Sequence, residues 1–167
     1  MGTEREGRRR EIVIRANVQA LGGQLKRARV EGEGLGTFYI YCDEPASIGG
    51  ANSAPAPLQF LAAALGFCLL TQLERYAPQH RVDLGSAEAD IVARFVSDGS
   101  VLAGDIRSWC DGVEVSLQVQ SKSPPGQVER LLELAERACY VTQSLLQPVP
   151  VSIRTSLNGE PLGPSGT

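Results

Sequence analysis

Histidine is nearly missing from this sequence: His80 is the only one in 167 residues. A single imidazole excludes a multi-histidine metal centre and a two-histidine acid/base pair. Positive charge is not in excess either. The 16 Lys and Arg stand against 19 Asp and Glu, a formal net charge of -3, which leaves nothing to neutralise a phosphate backbone. No nucleic-acid partner is expected. The four cysteines, Cys42, Cys68, Cys110 and Cys139, form no C-x-x-C pair, which excludes a zinc knuckle and a thioredoxin-type motif. No metal or other cofactor is expected.

Long hydrophobic runs are lacking as well. The longest, residues 60–70, is about half of the ~20 residues a membrane-spanning helix needs, so no membrane partner is expected. The opening MGTEREGRRREIVIRANV has no apolar core of the kind a secretory signal carries. Glu6 stands where a myristoylation signal requires Ser or Thr. The expected location is the cytoplasm, where thiols stay reduced unless they do redox chemistry.

What is present is an ordinary globular composition, 43% hydrophobic and 21% charged. The length predicts a single domain over 1–167, with its core at about 11–156 and frayed ends at 1–10 and 157–167. Period-two patterns at 11–20 (EIVIRANVQA), 24–31 (QLKRARVE) and 37–42 (TFYIYC) predict a three-stranded meander. Residues 43–57 (DEPASIGGANSAPAP) read as a loop whose last proline suits a first helical turn. Residues 58–76 (LQFLAAALGFCLLTQLERY) are apolar on nearly every side, the pattern of a central buried helix. One or two strands are expected over 82–96, with a hairpin at Asp98-Gly99 and a further strand at 113–119. An amphipathic helix is expected at 127–140 and a short strand at 148–156. Strands and helices do not alternate, so the fold class is α+β with antiparallel sheets and two helices.

Chemistry centres on the cysteines. Each is, by default, inert packing. Cys68 stands out because it lies in the all-apolar helix beside Gly66, where a missing side chain would admit another element. Cys139 stands out because it ends the second helix. A thiol becomes a nucleophile only as thiolate, which a nearby cation or helix N-terminus stabilises. The meander offers Arg15, Arg27 and Arg29, with Arg27 and Arg29 on one face beside Leu25. The GGANS segment lacks the Lys-Ser/Thr of a phosphate loop. Trp109 and His80 read as packing and solvated surface.

The stretch 43–77, DEPASIGGANSAPAPLQFLAAALGFCLLTQLERYA, resembles the signature of the OsmC/Ohr family, the osmotically induced and organic-hydroperoxide-resistance proteins. The stretch 131–145, LLELAERACYVTQSL, resembles that family's C-terminal helix with its second cysteine. The resemblance implies two helices clasped by antiparallel sheets and an intertwined homodimer with sites at the subunit interface. It also implies a two-cysteine peroxidase of oxidative-stress defence that reduces organic hydroperoxides and is restored by a dithiol such as a lipoylated protein. Cys68 matches the peroxidatic position, Cys139 the resolving one, and Arg27 the activating arginine, with Arg29 as runner-up. The chain departs from the family pattern where Leu58 and Gln59 replace an arginine-orienting Glu, Gln59 being the supporting residue left. It departs again where Cys139 is followed by Tyr140 instead of Pro. The missing Glu keeps a second function open: a non-enzymatic dimer that binds a small apolar ligand at the subunit interface.

Overall fold

The computed structural model describes residues 9–163. The chain divides into two compact units, Met1–Ala62 and Ala63–Thr167.

The first unit holds the meander. Strands β1 (Ile14–Gly22), β2 (Leu25–Gly32) and β3 (Gly36–Cys42) pair antiparallel in that order. Gly22 and Gly23 close the first hairpin with φ of 108° and 53°, which β-branched residues could not adopt there. Register sets Arg27 between Gln19 and Tyr41, and Arg29 between Asn17 and Tyr39. Every residue of β1 is exposed, and in β3 only Cys42 is partly covered.

Beyond β3 the loop folds around one carboxylate. Asp43, 1% exposed, accepts the backbone N–H groups of Glu44 at 2.8 Å, Ala51 at 3.1 Å and Ser53 at 3.0 Å, and the Ser53 hydroxyl at 2.7 Å. These hydrogen bonds, Ser53 N–H foremost, hold its pKa down to about 2 against partial desolvation. A short 3-10 turn, Ala46–Ile48, ends at Gly49 in the left-handed region. Gly50 packs so closely on the Glu44 carbonyl that a Cβ would overlap it.

Helix α1 (Pro57–Tyr76) begins at the expected proline. By length and composition it would pass for a membrane-spanning helix, and it is not the buried central helix that its sequence predicts, since 28% of that stretch is buried. Its buried residues include Leu65, Gly66, Leu69 and Leu73, while Leu58 and Phe67 are exposed.

In the second unit, β4 (Leu84–Asp98) and β5 (Arg107–Ser121) form one long antiparallel hairpin. The expectation of one or two strands over 82–96 resolves into a single strand. A register shift between Leu84 and Ser86 breaks the alternation there, and a second between Arg94 and Phe95 leaves Asp111 bulged on β5. Arg94 pairs with Glu114 on the exposed face. The helix expected at 127–140 is α2 (Pro125–Ala138), and an unexpected third, α3 (Tyr140–Leu146), follows it, so the described residues hold three α-helices, not two. Leu73, Ala77, Val82, Leu131 and Ala135 make the main core of this unit.

The strand expected at 148–156 does not form, because Pro148 and Pro150 remove ladder donors. Instead β6 (Ser156–Leu157) and β7 (Glu160–Pro161) pair across Asn158-Gly159, both at positive φ, in a segment expected to fray. Of the ends expected to fray, residues 1–8 and 164–167 lie outside the described residues.

Candidate active site

Two of the four thiols are brought together. On α1, Leu65 and Leu69 turn to the interior and carry Cys68, half-buried, on their flank. At the end of α2 the chain leaves helical geometry at Cys139, with φ -76° and ψ 109°, and re-enters it as α3. Cys139 is 0% exposed and caps α3, its Sγ accepting the Thr142 N–H at 3.4 Å. Leu65, Leu69 and Cys139 form one closed cluster, and Cys68, Ile91, Val113 and Val141 pack around it. Both sulfurs therefore share one apolar environment, and all four cysteines are free thiols.

Burial pushes the Cys68 thiol up. The backbone N–H groups of Val141 and Tyr140 pull it down, but the Cys139 sulfur beside it pushes up as well, and the net direction is upward. A sulfur in this position is held mainly as thiol and needs a cation to become a strong nucleophile.

The element that Gly66 was expected to admit is β4, although at a distance that does not require glycine. Ile91 and Ala89 of β4 lie nearest, and a Cβ at Gly66 would stand 3.6 Å from Ile91 Cγ1, an ordinary contact.

The arginines expected to serve the site lie on β2 with partners of their own. Arg27 donates to Gln19 Oε1 at 2.9 Å and lies 5.9 Å from the centre of the Tyr39 ring. Arg29 is neutralised by Glu31 at 2.5 Å. Among the described residues only Arg29–Glu31 and Arg94–Glu114 form ion pairs, so Arg27 keeps an uncompensated charge. Gln59, expected as a neutral support for an arginine, spends its carbonyl oxygen otherwise. It accepts the Ala56 N–H at 2.8 Å, the back-bonded half of a capping box at the start of α1. Leu58 beside it is exposed.

Several residues at or near this site carried no sequence signal. Gln72, one turn beyond Cys68, is 5% exposed and its Oε1 has no hydrogen-bond partner. A groove of about 490 Å³ adjoins the thiol cluster, lined by Leu65 and Leu69 of α1, Val115 and Leu117 of β5, and Leu145 of α3. Its polar lining is Glu133, Glu136 and Thr142. Among the described residues no group of three His, Cys, Asp or Glu side chains could hold a metal ion.

One thiol within α1 and a second at the capped break between α2 and α3 invite comparison with known proteins. The family described as OsmC-like protein matches residues 50–154 of this chain. The chain belongs to the OsmC-like family. Its match takes in both Cys68 and Cys139. Among solved structures, an OsmC-like hydroperoxide resistance protein of Jannaschia sp. CCS1 is 21% identical over 90% of this chain and 97% of its own, with a TM-score of 0.59. A putative osmotic stress induced and detoxification response protein of Psychrobacter arcticus 273-4 is 19% identical over 77% of this chain and 85% of its own, also at 0.59. An organic hydroperoxide resistance protein of Legionella pneumophila is 16% identical over 81% of this chain and 89% of its own, at 0.56. At these identities the likeness is one of fold: an OsmC-like chain of helices and antiparallel sheets. Among curated protein sequences none matches.

Proposed function

We propose that this OsmC-like chain is a cytoplasmic thiol peroxidase that reduces organic hydroperoxides and works as a homodimer. The observation that carries the reading is the pair Cys68 and Cys139, packed into one apolar cluster. The Cys68 thiolate attacks the terminal peroxide oxygen: an S–O bond forms, the O–O bond breaks, and the alkoxide leaves as an alcohol with one proton. The Cys139 thiolate then attacks the Cys68 sulfenic acid, forming S–S and releasing the hydroxyl as water. A dithiol, such as a lipoylated protein, reduces the disulfide by exchange and is itself oxidised. The cation in this reading is Arg27, whose charge no described carboxylate balances. Apolar surroundings favour an organic peroxide over hydrogen peroxide.

The homodimer reading is supported by the uncovered meander. Val18, Phe38 and Tyr39 are each more than 60% exposed, with large apolar side chains turned to both faces of the sheet. A second copy that buries them would form an obligate interface, well over ~2,000 Å².

Counting free thiols before and after cumene hydroperoxide tests the reaction. The wild type loses the Cys68 and Cys139 thiols together as a disulfide. Cys68→Ser abolishes peroxide consumption, Cys139→Ser allows one turnover and traps a sulfenic acid, and Cys42→Ser and Cys110→Ser behave as wild type. Equal loss in all four variants, or none in the wild type, leaves the second reading, a ligand-binding dimer. The groove and the committed Gln59 oxygen favour that second reading.

A further inference from the structure

The groove beside the thiols has a charge of one sign at its mouth. Glu133 and Glu136 stand three residues apart on α2, hence on the same side of the helix, and both are exposed. Both line the groove, and neither forms an ion pair among the described residues. Thr142 is the remaining polar side chain there; it carries no charge, and its Oγ1 is shielded from solvent without a hydrogen-bond partner. Among the described residues no Lys or Arg lines the groove. Glu136 stands close to the thiol in the chain, since its main-chain carbonyl accepts the Cys139 N–H at 3.2 Å. The carboxylates therefore flank an apolar channel that shares Leu65 and Leu69 with the sulfur cluster.

We propose that this groove seats the apolar body of the substrate and that Glu133 and Glu136 set its charge selectivity, admitting uncharged or cationic amphiphiles and turning away those with a carboxylate. As a statement about turnover it rests on the peroxidase reading; as a statement about binding it does not. A carboxylated chain entering the groove brings a negative charge toward two others, with no lysine or arginine among the described lining residues to offset them. An uncharged chain of the same shape has only the apolar walls to meet. Two like-charge contacts screened nearly as in water cost a factor on the order of ten. Because both glutamates reach solvent, the discrimination is electrostatic at a short range and fades with salt.

The test compares a long-chain fatty-acid hydroperoxide with its methyl ester, which share one body and differ in charge. With wild-type protein at neutral pH and low salt, kcat/KM for the ester exceeds that for the acid by about tenfold, and the ratio shrinks at high salt. The double variant Glu133→Gln with Glu136→Gln brings the ratio near one, and Glu133→Lys with Glu136→Lys inverts it. A wild-type ratio near one, or a ratio that neither double variant moves, overturns the proposal. Displacement of the uncharged probe N-phenyl-1-naphthylamine reads binding without turnover. Decylamine should displace it at about a tenth of the concentration that decanoate needs. If neither hydroperoxide is consumed, the peroxidase reading falls, and this displacement alone decides the groove. Equal displacement by the amine and the acid, or no probe binding, then overturns it.

Discussion

Cys68 on α1 and Cys139 at the break between α2 and α3 lie against the same Leu65–Leu69 cluster, yet only Cys139 is sealed from solvent. In the proposed peroxidase reading, a peroxide reaches Cys68 while Cys139 waits behind it.

The first prediction follows from the environment of Cys68. Burial and the neighbouring sulfur raise its pKa, so its thiolate fraction at neutral pH is small. The pH profile of Cys68 alkylation, followed by mass spectrometry, should have its midpoint above the free-thiol value of ~8.5. In Cys139→Ala the midpoint should move down, because the sulfur that opposes ionisation is gone. If Arg27 serves the thiolate, Arg27→Ala moves the midpoint up; an unchanged profile removes Arg27 from the site.

Asp43 supplies a second prediction. Its folded pKa of about 2 lies below the ordinary 3.8, so the carboxylate stabilises the fold above 3.8 and loses that effect as pH falls through about 2. Melting curves between pH 5 and pH 2 should show a drop in Tm in the wild type that is smaller in Asp43→Asn. At neutral pH Asp43→Asn should melt lower by on the order of 5 °C, since one amide oxygen cannot accept everything the carboxylate accepts.

Two glycines should respond in opposite ways to the same change. Gly50→Ala drives a Cβ into the Glu44 carbonyl, a backbone group that cannot step aside, and should cost ~4 kcal/mol or prevent folding. Gly66→Ala meets Ile91 at an ordinary 3.6 Å within a helix, and should gain up to ~1 kcal/mol. Chemical denaturation of both variants reads the difference.

Leu73 and Leu131 are each 0% exposed and belong to one cluster. Leu73→Ala and Leu131→Ala should each lose ~3 kcal/mol. Sharing one cluster, the two should combine non-additively in the double variant, by ~0.5 kcal/mol or more.

Gln59 tests whether the departure from the family pattern is structural or catalytic. Gln59→Ala removes the acceptor for Ala56 N–H and should cost ~1 kcal/mol. Gln59→Glu keeps the acceptor and adds negative charge at a helix N-terminus, worth ~0.5 kcal/mol. If Gln59→Glu also speeds peroxide turnover while Gln59→Ala only lowers Tm, an arginine stands within reach of that position.

Much of this protein could be read along the chain. The apolar run of 58–76 dictates a helix with no polar face on its first turns, but how much of that helix is covered depends on what packs against it. Alternation sets the three strands of the meander, and Pro57 sets where α1 starts. The same segments carry the family signature, and with it the roles for Cys68 and Cys139 that the resemblance implies. Only the tertiary structure decided the rest. The sequence ends the second helix at Cys139 but gives no sign that a third begins there, so the geometry of the break shows only in its φ and ψ and in the Sγ cap. Glu133 and Glu136 look like any solvated helix pair until β5 and α3 build a groove beside them. The neighbours of Gly66 come from β4, more than twenty residues away. Local periodicity is written in the next few residues, whereas what a side chain touches depends on segments folded against it from far along the chain, and a partner for Cys68, Gly66 or Glu136 has no signature at its own position.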